Sequence, residues 1–580
     1  MSDFFGDLMA VTKILRVVAA SLILIVPRCL YAQEVPRGEE PAAQAERFKE
    51  TSGRDKERPW TKKKEISPIE VSKEKAAPLP SAGTFVLKEV AIAGATALRP
   101  AELQRAYEPY LNKEISIKEL ETIALAVETA YERKGYLTTG AYIPEQDIKD
   151  GKVEIKVSEG RMGALKIEGG RWFSPSLIEK YYHAKKSHIL NVDVLQRDIL
   201  RLNQNPDLEV KAVLSPGEIS GTSDVTLQLQ DKFPWHAGVG EDNQGTRLTG
   251  KYRTSYILRS TNLTGLADTL FVDALMSRDS FGESVSYSVP IGTYGTRVSV
   301  DASYFTMTLG EEFRDFDITG QAQIYSPRVT FEVALQESFQ VFANAGIDIK
   351  SIIRKMSGST TSDDQLRLPW CGLDLKIVDA FGGRTEFSPK LVFGRDDIFG
   401  ACRKGDPLAS RAGTGGSFVA YTQNLNRIQK MPFRSYLSIR SRCQLASHSL
   451  PSSEQLQIGG AYSVRGYPEG DYLADEGGFI STDWIFPLYV IPEDWRLKGQ
   501  TVALRYQVQP VIFADFGGGR IQKVMPGERR SRFLMGAGGG VRLNFSLFSL
   551  RAEWAAAMGG DKPTMGAGPS SFYLTFQSEI

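Results

Sequence analysis

Alternating polar and apolar residues dominate the C-terminal part of the chain, residues 233–580. In the stretch TRVSVDASYF, Arg297 and Asp301 fall on one face of an extended strand, and Val298 and Val300 fall on the other. Side chains of a β-strand alternate between two faces, so this pattern predicts a strand with one polar and one apolar face. Similar segments recur, separated by Gly, Asp, Asn and Pro, which predicts a succession of strands joined by turns.

Such a region fits two architectures. One is a soluble sandwich with a wet outer face, and the other is a transmembrane barrel with a polar interior and an apolar exterior. The length of the region suits one barrel of about 16 strands, at about 20 residues for each strand and its connection. A closed barrel also pairs every backbone group, which lipid demands. We therefore predict a mainly β fold with a C-terminal transmembrane antiparallel β-barrel over residues 233–580.

The preceding region combines helical and strand periodicity. Ser116 and Glu119 form a capping box, and apolar residues at helical spacing follow it. Alternating strand segments flank this helix within residues 84–160. The same order of strand, helix and closing strands recurs in residues 161–232. The sequence thus predicts two small α/β modules of one kind.

The N-terminus has the pattern of an exported protein. Lys13 and Arg16 precede an apolar run, and the LYA at residues 30–32 offers a small residue for cleavage. The run is too short to span a bilayer as a helix. We predict a signal peptide over residues 1–32. The alternative is an ordinary buried helix, which the charged tract that follows makes less favourable.

Residues 33–83 form a charged, proline-rich linker with too few large apolar residues for a core. One short helix is predicted within it, over residues 41–52, beginning at Pro41 and stopped by Gly53. The helix is polar all round apart from Phe48. A helix of this kind is stable only in hydrophilic surroundings such as a wet channel, where it would act as a plug. A disordered linker is the alternative.

Composition and motifs argue against several classes of protein. The net charge of +1 gives no basic excess for nucleic acid. The chain contains neither a GxxxxGK[ST] nucleotide loop nor a GxSxG nucleophile elbow, and its four histidines form no set with metal-ligand spacing. We predict no enzyme activity, no cofactor and no metal. Four cysteines fall in no CxxC pair, and their role and pairing stay open: Cys29, Cys371, Cys402 and Cys443.

The stretch AYSVRGYPEGD, residues 461–471, is an unusual turn. Gly466, Pro468 and Gly470 suit a turn because they permit or fix the backbone angles that turns require. A plain solvent loop would not place Arg465 between an apolar residue and an aromatic one. The cluster therefore indicates a loop with a function of its own.

These features resemble the outer-membrane transporters of two-partner secretion, the TpsB family. AYERKGYLTTGAYIPEQDIKDGKVEIKVSEG is similar to the first POTRA domain of that family, with a characteristic piece at Pro144, Glu145 and Gln146. AVLSPGEISGTSDVTLQLQ is similar to the end of the second POTRA domain. EDNQGTRLTG and STNLTGLADTL match the opening hairpin of the barrel, and YSVPIGTYG follows. VRGY and FADFG match the motifs of the sixth extracellular loop and of a late barrel strand.

The resemblance implies that the loop around residues 455–475 folds inward, so that Arg465 meets Asp515 in the barrel lumen. The lumen is expected to be wetter than a protein core. The residues implied in this loop and its docking site are Val464, Arg465, Gly466, Tyr467, Phe513, Asp515 and Gly517. The planar guanidinium suits a carboxylate. The alternative is that Arg465 merely braces the barrel.

The resemblance further implies a pore in the outer membrane that secretes one large adhesin- or hemolysin-like partner. Periplasmic POTRA domains over residues 84–160 and 161–232 would recognise this partner. The first alternative is an assembly factor of the same superfamily, which inserts barrels into the membrane. The second is an outer-membrane lipase. The chain departs from the family in ending with Ile580, where an aromatic residue is usual, and in its long charged segment before the first module.

Overall fold

The computed structural model describes residues 37–51 and 83–580, apart from residues 185, 187, 220, 499, 526, 527, 565 and 566. The predicted signal peptide and most of the linker lie outside these residues. The first regular helix, α1, spans Pro41–Thr51. Of the helices in the described residues, none is both long and apolar enough to cross a membrane.

The first module is a three-stranded sheet covered by two helices. The central strand of its sheet is β5, Lys152–Ser158, which runs parallel to β2, Glu89–Ala93, on one side and antiparallel to β4, Gly140–Tyr142, on the other. The hydroxyl of Ser116 caps the second helix as predicted, and Leu120, Ile123 and Val127 on its buried face pack against the core. The elements are β1 Thr84–Val86, β2 Glu89–Ala93, α2 Pro100–Tyr107, β3 Glu114–Ser116, α3 Ile117–Glu132, β4 Gly140–Tyr142 and β5 Lys152–Ser158.

Glu159, just after β5, ties this module together. Its carboxylate accepts hydrogen bonds from the backbone of Thr96 and Ala97 and from the Tyr131 hydroxyl at 2.6–2.8 Å. Burial alone would raise the pKa of Glu159, but these hydrogen bonds hold it below its ordinary value. The stabilisation is therefore fully present above the ordinary carboxyl pKa of 4.5 and is lost as the pH falls through the lowered value.

The second module repeats this topology. The central strand of its sheet is β8, Thr222–Asp231, which runs parallel to β6, Arg161–Gly169, on one side and antiparallel to β7, Leu208–Pro216, on the other. The elements are β6 Arg161–Gly169, α4 Pro175–Tyr181, α5 Val192–Leu202, β7 Leu208–Pro216 and β8 Thr222–Asp231. The sequence pattern did not predict helices α2 and α4. They have only 8 and 7 residues, which is too short for apolar residues to show a clear helical period.

The C-terminal region is a closed antiparallel barrel of 16 strands, which confirms the predicted fold class. Each barrel strand pairs with its neighbours in chain order, and the last strand, β26 (Ser570–Glu579), pairs with the first, β9 (Trp235–Asp242), to close the barrel. Its first eight strands are β9 Trp235–Asp242, β10 Arg253–Ser260, β11 Thr269–Met276, β12 Ser280–Ile291, β13 Thr296–Thr308, β14 Ile318–Leu335, β15 Phe339–Met356 and β16 Ser359–Val378. Among the remaining strands, β20 and β21 pair only with each other, as a small hairpin that is not part of the barrel sheet. In chain order these elements are β17 Gly383–Gly394, β18 Phe418–Lys430, β19 Tyr436–Ala446, β20 Leu456–Ile458, β21 Tyr472–Ala474, β22 Glu476–Ile485, β23 Val508–Arg520, β24 Ser531–Asn544, β25 Phe548–Ala557 and β26 Ser570–Glu579.

The seam between β26 and β9 is completed by groups beyond the paired strand residues. The backbone N–H of Ile580 donates to the Ala237 carbonyl at 2.9 Å, and the Ala237 N–H donates back at 3.1 Å. At the other end, the Asn243 side chain exchanges hydrogen bonds with the backbone of Phe572 and Leu574 at 2.9 Å. An aliphatic residue at position 580 thus fits the seam, because the backbone makes these contacts.

The barrel has two distinct ends. We call the end where β9 begins, next to the second module, the module end, and the opposite end the far end. Alternation along the strands places polar side chains in the lumen and apolar ones outside, as Glu553 and Trp554 illustrate, with 2% and 53% exposure. The lumen is therefore lined mainly by polar side chains.

Candidate functional site in the barrel lumen

The loop between β19 and β22, residues 447–475, folds from the far end into the lumen. We call it the inward loop. Hairpin β20–β21 forms its stem, and the VRGY tip lies between these two strands in sequence. Val464 and Tyr467 are 0% and 1% exposed. They pack in an apolar cluster whose other buried members are Leu456, Ile458, Tyr472, Ala474, Ile521 and Leu534. The apolar residues of the motif thus fix the loop against the barrel wall.

Gly466 allows the tip to reverse direction. Its φ of +94° is a backbone conformation that L side chains rarely adopt. A Cβ at this position would lie 2.7 Å from backbone atoms of Ala556 and Ala557, the last two residues of β25. The N–H of Gly466 donates to the Tyr573 hydroxyl at 3.0 Å. The loop therefore lies directly against the wall at this point.

Arg465 and Asp515 come together as the resemblance implied. Nε of Arg465 donates to Asp515 Oδ2 at 2.7 Å, and Nη2 donates to Oδ1 at 2.8 Å. The backbone N–H of Arg465 also donates to Oδ2, at 3.0 Å. The planar fork of the guanidinium thus binds both carboxylate oxygens, a geometry that lysine cannot reproduce.

Arg465 binds two further carboxylates that the sequence motifs did not reveal. Its Nη2 donates to Asp483 Oδ1 at 2.5 Å, and its Nη1 donates to Glu553 Oε2 at 3.0 Å. The guanidinium carbon also lies 3.4 Å from the centre of the Phe513 ring. Asp483 on β22 and Glu553 on β25 are acidic residues on the inward face of their strands, so strand alternation is the one signal that could have identified them.

A second arginine, Arg542 on β24, completes this cluster. Its Nη2 donates to Asp483 Oδ2 and to Glu553 Oε1, both at 2.7 Å. Arg440 and Arg551 approach the edge of the cluster at 3.9 and 3.7 Å from these carboxylates. Three carboxylates thus face two buried arginines and two peripheral ones. We call Arg465, Asp515, Asp483, Glu553 and Arg542 the tip cluster.

The tip cluster is drier than the sequence predicted. The side chains of Arg465 and Asp515 are 1% and 0% exposed, whereas a wet lumen would leave them partly solvated. The difference arises because the loop fills this part of the lumen and the Phe513 ring covers one face of the guanidinium. Buried ions of this kind are held in place by their partners, since an unpaired charge there is strongly destabilising.

Glycines on the barrel wall make room for the tip. A Cβ on Gly517 would lie 2.8 Å from side-chain atoms of Ile458 and Val464. On β24, a Cβ on Gly536 would lie 2.0 Å from the carbonyl oxygen of Arg465. The residues of the FADFG motif therefore have separate tasks: a ring under the guanidinium, a carboxylate, and space for the loop.

Helix α1 lies inside the barrel, beside the inward loop. The Arg47 guanidinium donates to Gln457 Oε1 at 2.9 and 3.1 Å, and Gln457 Nε2 donates to the Ala43 carbonyl at 2.6 Å. On the barrel wall, Lys350 forms ion pairs with Glu46 of the helix and with Glu454 of the loop. The helix is thus attached to both the loop and the wall.

The packing of α1 differs from the pattern that the sequence indicated. The helix is not polar all round, because Ala42, Ala43 and Ala45 join Phe48 in being buried. Phe48 packs against Phe305 of β13, with ring centres 6.2 Å apart. Small alanine side chains let the helix approach the wall closely, and their weak hydrophobicity concealed this face in the sequence.

The PEQ motif, Pro144 to Gln146, lies in the first module and not in the barrel lumen. Gln146 holds the edge of β5: its Nε2 donates to the Glu154 carbonyl, and its Oε1 accepts from the Glu154 N–H, both at 2.8 Å. The Pro144 carbonyl accepts a weaker bond from the same amide at 3.3 Å. Glu145 is exposed. Gln146 thus supports the sheet.

A cavity of about 1660 Å³ occupies the module end of the lumen. It extends from α1 to the mouth next to the second module, and its lining includes Phe48, Lys49, Pro206, Arg259, Thr261 and Glu579. The inward loop and α1 fill the lumen beyond it. The three cysteines in the described residues, Cys371, Cys402 and Cys443, are free thiols and take no part in this site.

Comparisons with known proteins agree with this architecture. A family model described as haemolysin secretion/activation protein ShlB/FhaC/HecB matches residues 221–543. A second model, described as the ShlB-type POTRA domain, matches residues 85–160, the first module. Together these matches cover both kinds of domain in the chain.

Individual relatives are similar over most of their length. The heme/hemopexin transporter protein HuxB of Haemophilus influenzae is 24% identical over 452 residues, which cover 76% of this chain and 78% of the relative. The outer membrane transporter CdiB of Escherichia coli strain 536 is 25% identical over 431 residues, 72% of each chain. Among solved structures, CdiB from Escherichia coli superposes with a TM-score of 0.74 at 21% identity, covering 95% of this chain and 100% of that one.

Proposed function

The chain belongs to the haemolysin secretion/activation family ShlB/FhaC/HecB, and we propose that it secretes one large partner protein through its own lumen. Members of this family are outer-membrane transporters of two-partner secretion, with a barrel in the membrane and POTRA domains in the periplasm. The family, the transport function and the location predicted from the sequence are thereby confirmed. The module end of the barrel faces the periplasm, and the far end faces the cell exterior.

The proposed route follows the lumen from the module end to the far end. The cavity at the module end supports the entry point, because its lining reaches Pro206 of the second module and Glu579 at the base of β26. Beyond it, the inward loop and α1 occupy the channel. The observation that carries the proposal is that discrete polar contacts join these two segments to each other and to the barrel wall, and such contacts can be exchanged for other partners. An unfolded polypeptide passes once α1 has left the lumen.

The two modules are proposed to catch the partner in the periplasm. Within the described residues, β2 of the first module is hydrogen-bonded on one side only, to β5. An extended segment of the partner can add to the other edge, or lie in the groove between α3 and the sheet. We assign the second module the same POTRA role, because it repeats the topology of the first. The partner is proposed to be an adhesin- or hemolysin-like exoprotein.

The assembly-factor alternative shares the overall architecture. The ShlB-type match of the first module favours secretion over barrel insertion. The family is one of transporters, and we propose neither a catalytic role nor a cofactor for this chain.

The test is a secretion assay with a large exported protein from a reading frame next to the gene of this chain, because the partners of such transporters are commonly encoded beside them. Full-length transporter should release the exoprotein to the surface or medium. A variant lacking residues 84–232 should still form a heat-modifiable barrel in the outer membrane but should lose secretion. Normal secretion by that variant would contradict recognition by the modules. Failure of the full-length chain to release its neighbour would contradict the pairing itself.

A further inference from the structure

Another buried arginine, outside the tip cluster, lies at the extracellular base of the inward loop. Arg411 belongs to residues 395–417 between β17 and β18, and its Nη1 donates to Asp475 Oδ1 at 2.8 Å. Asp475 is the residue immediately before β22. The side chains are 3% and 0% exposed, so this ion pair is as dry as the one at the tip. It takes no part in the tip cluster.

Asp475 joins the segment of the inward loop that enters the barrel to the segment that leaves it. Its Oδ1 also accepts hydrogen bonds from the Leu450 N–H at 3.1 Å and from Gln455 Nε2 at 3.0 Å, both in the segment that enters the barrel. Its Oδ2 accepts from the Gln522 N–H at 2.9 Å, in the connection between β23 and β24. One carboxylate thus fixes where the loop enters the barrel and where it leaves.

Arg411 extends these contacts across the extracellular mouth. Its Nη1 donates to the Leu450 carbonyl at 2.9 Å, and its Nη2 donates to the Lys523 carbonyl at 3.1 Å. Beside it, the Ser452 N–H donates to the Ser410 hydroxyl at 3.1 Å. The loop that carries Arg411 therefore crosses from β17 and β18, past β19 and β22, to the connection after β23.

We infer that Arg411 and Asp475 form a latch that holds the extracellular mouth closed over the inward loop and must open when a polypeptide leaves the barrel. The inference rests on the proposed route through the lumen. Releasing the tip cluster alone would leave the loop fixed at its base, because the latch joins both segments to two other loops. Arg411 is thus a positioning residue for secretion, acting through the loop.

A reversible cross-link tests whether the latch has to open. Ser410→Cys and Ser452→Cys are introduced into a full-length chain in which Cys371, Cys402 and Cys443 are serine. The matched control carries Ser277→Cys and Ser280→Cys, whose hydroxyls are 2.6 Å apart within the single turn between β11 and β12. The oxidised latch pair should reduce secretion at least tenfold, reductant should restore it, and the control should secrete in both states.

Secretion by the oxidised latch pair at the level of its reduced form would overturn the latch. It would leave the proposed function intact, because the function fails only if the wild-type chain releases no partner. Formation of the cross-link is verified by mass spectrometry, and folding of the barrel is verified by heat modifiability.

If the cysteine pair impairs secretion even when reduced, the frequency of channel opening tests the latch instead. Arg411→Gln should raise the frequency of spontaneous channel opening in planar bilayers several-fold. The control is Arg403→Gln, on the same loop, where the side chain is 77% exposed and pairs with Asp397 at 2.5 Å. Equal opening frequencies for the two variants would overturn the latch.

Discussion

At the scale of single residues, the tip of the inward loop is held by a buried cluster of charges in addition to its apolar packing. Arg465 is one of the largest fully buried side chains in the described residues, and it contacts three carboxylates. Because desolvation offsets much of the attraction in such a cluster, its net contribution to stability is modest. Removing one member is severe, since it leaves the others buried without a full set of partners. The cluster therefore specifies one docked position for the loop.

Arg465→Ala should leave a folded, heat-modifiable barrel and sharply reduce secretion. The change removes the guanidinium that binds Asp515 and leaves Asp483 and Glu553 with Arg542 as their one deeply buried cation. Breaking such a buried pair costs about 3–5 kcal/mol at most, against about 0–1 kcal/mol for a surface pair. Asp515→Ala should act in the same direction but less strongly, because the guanidinium keeps two carboxylates. Arg465→Lys should rescue poorly, since lysine lacks the planar fork.

A double-mutant cycle on secreted partner measures this coupling. The double variant Arg465→Ala, Asp515→Ala should be little worse than Arg465→Ala alone. The control is Arg328→Ala, another lumen arginine, which is 40% exposed and lies 3.3 Å from Asp301; it should secrete normally. Simple addition of the two single effects would mean that the residues act independently.

Gly536→Ala should displace the loop tip without adding or removing a charge. The new Cβ would lie 2.0 Å from the Arg465 carbonyl oxygen, so the tip has to move away from β24. Overpacking of this kind costs about 1–3 kcal/mol. Secretion should fall and channel openings should become more frequent in planar bilayers. Gly560→Ala, where no atom lies within 4 Å of the added carbon, is the matched control. Equal behaviour of the two variants would contradict the docked position of the tip.

The sequence revealed the two ends of one ion pair but not the whole cluster. Arg465 and Asp515 belong to motifs with fixed neighbours, so the resemblance brought them together. Asp483, Glu553 and Arg542 lie in ordinary alternating strands, where an inward acidic or basic residue is expected at many positions. Which of these residues meet depends on strand register and on the depth of the loop, and alternation determines neither.

At the scale of elements, helix α1 shows how a weak sequence signal can correspond to a well-packed helix. A Cβ on Gly320 of β14 would lie 2.1 Å from the Pro41 side chain, so the wall is shaped to the start of the helix. The apolar contact comes from three alanines and one phenylalanine, which give little amphipathic pattern. Its polar residues bind the loop and the wall. The helix therefore depends on the barrel for its stability, and isolated helices of this length are marginal.

Deleting residues 41–51 should raise channel conductance in planar bilayers, because the helix fills lumen that would otherwise be open. Lys350→Gln should raise it in part, since this lysine bridges Glu46 of the helix and Glu454 of the loop. Lys355→Gln, an exposed position near the end of the same strand, is the control for the change of charge. Unchanged conductance after the deletion would show that the helix does not plug the pore.

At the scale of the whole molecule, the second module is joined to the barrel by a polar interface. Arg201 of α5 binds Glu332 of β14 through two hydrogen bonds of 2.8 and 2.7 Å. The Nε2 atom of His183 lies 2.9 Å from the hydroxyl of Thr293, in the turn between β12 and β13. Asn205 Nδ2 donates to the Thr261 carbonyl at 2.7 Å. Strand patterns predicted the modules and the barrel separately. They contained no information about this interface, because its residues come from a helix, from turns and from strand ends of two separate domains.

Arg201→Ala should loosen the second module from the barrel and reduce secretion while leaving both parts folded. The side chains of Arg201 and Glu332 are 8% and 5% exposed, so the change leaves a nearly buried carboxylate without its main partner. Hydrogen exchange should become faster in the barrel turns 261–268 and 292–295, and unchanged in the barrel strands. Arg197→Ala, an exposed position on the same helix, should alter neither exchange nor secretion. Faster exchange with normal secretion would mean that the partner reaches the lumen without a fixed module, and the proposed entry point beside Pro206 would then be wrong.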